Sequence, residues 1–156
     1  MKFKNPYKVE VVRDGKIIDS REGFNMVTTQ GLNHVLDVVF NAATQIPATE
    51  WIMRLINNSP TPTLALADTV SSHSGWVEFT SYTGGAGIAW NPGSASGGEV
   101  VNASTIDFAI TGSGSVFGFY LQSDDDSVLY STVAFDAPIS VINGDTIKVT
   151  YTVGLV

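Results

Sequence analysis

Apolar and polar residues alternate at every second position at both ends of the chain, and only one stretch between them changes to a helical period. Near the start, residues 8–12 (KVEVV) and 16–20 (KIIDS) flank Asp14-Gly15, a pair suited to the positive-φ positions of a tight hairpin turn. At the far end, Ile147, Val149, Tyr151 and Val153 alternate with Thr146, Lys148, Thr150 and Thr152, the pattern of a strand with one buried and one wet face. The helical period is confined to residues 28–42. There Leu32, Val35, Leu36, Val39 and Phe40 follow Thr28 or Thr29 as N-cap, which predicts an amphipathic helix whose apolar stripe faces a core or sheet.

From Glu50 onward short β-prone runs take over: WIMRLI, WVEFTSY, TIDFAIT, VFGFYLQ and VLYSTVAF, separated by Gly, Pro, Ser, Asn and Asp. Pro60 and Pro62 disfavour helix in the long connection before Trp76. About seven strands with one early helix predict a mainly β chain, a β-sandwich of jelly-roll or immunoglobulin-like type. The N-terminal hairpin reads as an arm of residues 1–25 appended to a single main body of residues 26–156.

Charge supports that division. Six of the eight Lys and Arg residues (Lys2, Lys4, Lys8, Arg13, Lys16 and Arg21) lie in the first 21 positions, where only Glu10, Asp14 and Asp19 oppose them, for a balance of +3. The remainder carries two cations against twelve acids, or −10, and the whole chain −7. An acidic body argues against non-specific nucleic-acid binding, and no apolar run approaches the roughly 20 residues of a membrane span. With no cysteine and no apolar signal segment, the chain is expected to be made in a reducing cytoplasm, without disulfides or thiolate metal sites. Only 15% of residues are charged, so part of the surface is expected to be covered by partners or by further copies of the chain.

Catalytic patterns are thin. His34 and His73 lack partners at zinc-ligand spacing, and Asp124, Asp125 and Asp126 lack the alternating oxygen ligands of a calcium loop. No Gly-x-Ser-x-Gly elbow is present, and neither TGGAG nor SGGE is followed by the Lys-Ser/Thr of a phosphate loop. The expectation is no enzyme activity, no cofactor and no metal. Two binding readings remain. In the first, Phe3, Lys4, Tyr7, Lys8 and Arg13 form a sticky basic arm that ion-pairs and stacks on a partner. In the second, Trp76, Tyr82 and Trp90 stack on sugar rings in a glycan-binding module of a fibre or tail.

The order of segments carries one more signal. YKVEVVRDGKII, NMVTTQGLNHVLDVVFNAATQ, WIMRLINNSPTP, ADTVSSHSGWVEFTSY, IAWNPGSASGGEVVN, VFGFYLQSDD and VINGDTIKVTYTV follow one another through nearly the whole chain. As an ordered set they resemble a family of small virion proteins of tailed bacteriophages, considered head components. One departure is Arg54 in residues 51–55, where the family pattern carries aromatic and small polar residues. The resemblance implies a β-sandwich located in the virion. It would bind the outer capsid surface as a decoration or cement protein, with the major capsid protein as partner and a homo-oligomer, dimer or trimer, as its working form. It brings no catalytic residues.

Overall fold

Asp14 and Gly15 adopt φ of 49° and 74°, so the tight turn forms and joins β1 (Pro6–Arg13) to β2 (Lys16–Phe24). In the computed structural model, which describes residues 5–154, this hairpin is not an appended arm. Strand β1 also pairs with β11 (Thr146–Gly154), setting Tyr7 opposite Tyr151, Val9 opposite Val149 and Val11 opposite Ile147. All six side chains are buried in the main core. The inner-face periods of the two strands coincide, and a slip of either strand by one residue would turn its three side chains to water. Residues 5–25 and 26–154 therefore share one core rather than meeting at a boundary.

The first sheet runs β2-β1-β11-β7, where β7 spans Glu99–Val101, and β8 (Ile106–Ala109) also pairs β11. The second begins with β3 (Met26–Val27) and runs through β10 (Leu129–Val141), β9 (Gly114–Ser123) and β4 (Trp51–Asn57) to β5 (Glu78–Phe79). A further two-residue strand, β6 (Ile88–Ala89), also pairs β4. All strand pairs are antiparallel, and the two sheets form a mainly β sandwich with a single α-helix. The described residues hold eleven strands where the sequence pattern predicts about seven. The extra ones are mostly two residues long, too short to show a period, and WVEFTSY contributes only β5.

Phe108, Phe119, Met53, Leu55 and Val116 fill the space between the sheets. Strand β9 is buried on both faces, which explains why VFGFYLQ reads as a continuous apolar run. Phe119 and Leu121 enter the main core, while Tyr120 joins Ile56, Trp76 and Leu129 in a second core on the outer side. The long connection before Trp76 roofs this second core with Leu64 and Val70.

Edge strand β2 turns Asp19 and Arg21 toward the inner face, opposite Val11 and Val9. Arg21 bonds Asp19 and reaches Asp136 of β10 at 3.0 Å, tying one sheet to the other across the open edge. Arg13 at the end of β1 makes a bidentate ion pair with Asp145, at 2.7 and 2.8 Å, and Asp145 also accepts the Ile142 N–H. The Arg13 guanidinium holds the Asp145 carboxyl below the usual carboxylate range. The folded state therefore binds this proton less readily than the unfolded chain. The contribution is present above about pH 4 and is lost as pH falls through the lowered folded value. Asp145→Asn is expected to lower the melting temperature at pH 7 and to flatten its fall between about pH 4 and 2. Thermal melts across pH check this; parallel wild-type and variant curves would refute it.

Candidate functional site

Helix α1 (Thr29–Phe40) begins where the sequence places it. Thr28 is the N-cap, its hydroxyl oxygen accepting the Gly31 N–H at 3.0 Å, while the hydroxyl donates to the Leu129 carbonyl at 2.5 Å. Gln30 spans to β10, donating to the Ser127 carbonyl and accepting the Leu129 N–H. These bonds fix the rotation of the helix about its own axis, and Gly31 sharpens it. A Cβ at residue 31 would fall inside the Tyr130 backbone, so only glycine lets the first turn press this close to β10.

The consequence overturns the expectation that the apolar stripe faces a core. The side toward the body carries Gly31, His34, Val35 and Val38, with the His34 ring edge-on to Trp51 at 5.9 Å. At about 100° per residue, Leu32, Leu36, Val39 and Phe40 occupy a neighbouring sector about 100° wide. They are 37%, 45%, 62% and 81% exposed. Patches of this kind on a small domain mark interaction surfaces.

Beside the stripe lies an apolar cleft of about 570 Å³. Val35 and Ile46 form one wall and Val100 and Trp90 another, over a floor of Trp51 and Tyr130. Both sheets contribute, so the cleft opens at the end of the sandwich where they part. Trp51 meets Tyr130 edge-on at 6.1 Å, and the Trp90 N–H bonds the Trp51 carbonyl at 2.9 Å, which holds the two indoles on one rigid frame. Among the described residues no Asp, Glu, Lys, Arg or His lines the cleft. Tyr130 is its one titratable group, its hydroxyl pushed up to about 12 by burial. The arrangement is suited to seating an apolar group and gives no proton carrier near neutral pH.

The residues assigned to a basic arm are placed differently. Phe3 and Lys4 lie outside the described residues. Tyr7 is a core residue whose hydroxyl donates to the Ala134 carbonyl at 3.3 Å, and Arg13 is engaged by Asp145. Lys8 is exposed but pairs with Glu10 on its own strand at 2.5 Å. Arg54 pairs with Glu78 at 3.0 Å across β4 and β5.

The glycan candidates are buried as well, so none offers an open ring face. Trp76 stacks on His73 at 3.8 Å and donates its indole N–H to Asp68 at 3.0 Å. Tyr82 meets Phe108 edge-on at 5.0 Å, its hydroxyl pushed up to about 12 by burial and then by the charge of Glu78. Trp90 packs edge-on against Tyr151 at 5.9 Å and belongs to the cleft wall, the one member of the trio near a candidate site. Asp125 sits in a turn, accepting from the Ser127 N–H and hydroxyl. Among the described residues no group of three or more His, Cys, Asp or Glu is placed to hold a metal ion.

Sequence reasoning passed over Ile46, Val100 and Tyr130, which lie on three separate segments. One signal pointed to this face: between Glu22 and Glu50 the only formally charged residue is Asp37. No family model matches the chain, and no curated protein matches it.

Proposed function

We propose that the protein is a non-enzymatic structural component of a tailed-phage particle. In this reading it binds the outer capsid surface and staples neighbouring capsid subunits, with the cleft between Val35, Trp51, Trp90 and Val100 receiving an apolar anchor from capsid protein. The observation that carries the proposal is the apolar cleft, which no charged residue lines among those described, with the exposed apolar stripe of α1 beside it on one end of a rigid sandwich. The resemblance in segment order supplies the partner. Contact is mainly apolar here rather than ionic, because Arg13 and Lys8 are already paired within the chain.

The test mixes purified protein with particles of the encoding phage made without it, followed by sedimentation and cryo-electron microscopy. Density at many symmetry-related shell positions, with the cleft against capsid protein, is the expected result. Density confined to a tail or fibre, or no binding, overturns the proposal. Attachment is expected to survive about 1 M salt, where ionic attraction is screened beyond about 3 Å. Ile46→Glu, at the rim, is expected to weaken attachment at least about tenfold with the thermal transition unchanged, since a carboxylate would lose its hydration in the filled cleft.

A further inference from the structure

We infer that a second copy of this chain covers the exposed face of α1, through a two-fold pair of antiparallel helices. The inference rests on the assembly reading above and names what covers the surface beside the cleft.

Leu32, Leu36 and Phe40 stand four residues apart on one ridge, and their exposure rises along it from 37% through 45% to 81%. Two such ridges interdigitate at a crossing angle of about −50°. Turned antiparallel about Leu36, the pair sets Phe40 of each copy against Leu32 of the other. The most protruding end then meets the least protruding one, and the contact is even along its length. Every residue finds its counterpart under a single two-fold operation, which is the condition for a closed self-complementary interface. Phe40 has no such cover from its own body. It lies about 140° around the helix from Val35, the residue facing the cleft.

Charge points the same way. A chain of net charge −7 ordinarily resists self-association, yet this face brings only Asp37 from each copy. The two-fold places both Asp37 side chains on the same flank of the helix pair, but each lies about 100° around its helix from Leu36 and is exposed, so the two carboxylates stay in water. It also opposes the helix dipoles, whereas a parallel pair would align them. A strongly charged partner would find only Asp37 here to pair with.

The size is that of a reversible dimer. With Leu66, which is 57% exposed and whose carbonyl accepts the Thr29 N–H at 2.8 Å, the stripe exposes on the order of 500 Å² per copy. A pair then buries about 1,000 Å², at the lower limit for a specific interface and well short of an obligate one. The dimer would carry two clefts, one beside each stripe. On a particle, binding both at once would strengthen attachment without any new contact.

The experiment is sedimentation equilibrium of the full chain, free of particles, from about 1 to 100 μM. A monomer–dimer equilibrium is expected, weakened at least about tenfold by Phe40→Glu and by Leu36→Glu. Both residues face solvent in the monomer, so circular dichroism and the thermal transition should be retained. A second readout uses the absence of native cysteine. Leu36→Cys falls on the two-fold and is expected to form an intermolecular disulfide under mild oxidation, faster than Val101→Cys on the exposed part of β7. A wild-type chain that stays monomeric to about 100 μM, a dimer indifferent to Phe40→Glu, or equal cross-linking of the two cysteine variants overturns the inference. A monomer that binds particles overturns it and leaves the proposed function standing; a dimer that binds no particle does the reverse.

Discussion

Gly118→Ala is expected to leave the chain unable to reach a stable fold. Gly118 lies in the middle of β9, paired with Ala134 on one side and Ile56 on the other. A methyl group there would stand well under 3.0 Å from the Val133 carbonyl oxygen, and the atom it meets is backbone, which cannot rotate away. The β9–β10 ladder shifts register between Ala134 and Ile139, beside Pro138, so the strand already bends at this point. Relief requires parting two central strands that hold both cores. The expected cost is roughly 4 kcal/mol or more, against the 5–15 kcal/mol that keeps a typical domain folded. Soluble yield and far-ultraviolet circular dichroism give the readout; a variant melting within a few degrees of wild type would show that β10 yields more easily than its pairing implies.

Trp76→Ala is the second large effect. Trp76 fills the outer core against Tyr120 and Ile56 and stacks on His73, so truncation removes most of the roof of β9 and leaves a cavity. The expected loss is about 3–5 kcal/mol, a fall of roughly 10 °C in melting temperature for a chain of this size. Residues 58–77 should become open to proteolysis well below the global transition. Trp76→Phe separates the two contributions. It keeps a six-membered ring in the core but deletes the indole donor to Asp68, which retains the Ala65 N–H at 2.9 Å, together with the volume of the second ring, so a smaller loss of about 1–3 kcal/mol is expected. Equal losses in the two variants would mean that the indole's nitrogen-bearing ring, through its bond to Asp68 and its own packing, holds the roof.

What was legible in the sequence was local. The Asp14-Gly15 turn, the Thr28 cap and the alternation of Ile147, Val149 and Tyr151 each depend on neighbours a few residues away, and each forms as read. The central place of β1 depends on β11 at the opposite end of the chain. The clustered cations point to a free arm until Arg13 is seen to meet Asp145, 132 positions later. The helix was equally legible as a helix, but not its orientation. That is set by Gly31 against the Tyr130 backbone and Gln30 against Leu129, contacts between segments about a hundred residues apart. The packing partner of Trp90 was hidden for a similar reason. Its position before Asn91-Pro92-Gly93 marks a turn, and nothing nearby reveals that Tyr151 packs against it.

The inward charges of β2 bear on how this fold resists edge-to-edge growth. Any chain made in many copies is exposed to runaway templating, in which one unfinished ladder recruits the next and fibres grow before assembly begins. A newcomer adding to β2 would have to displace Arg21 from Asp19 and Asp136 and strand those charges in a drying contact. Growth through that edge is thereby discouraged, while the pairing proposed for α1 would close after a single partner.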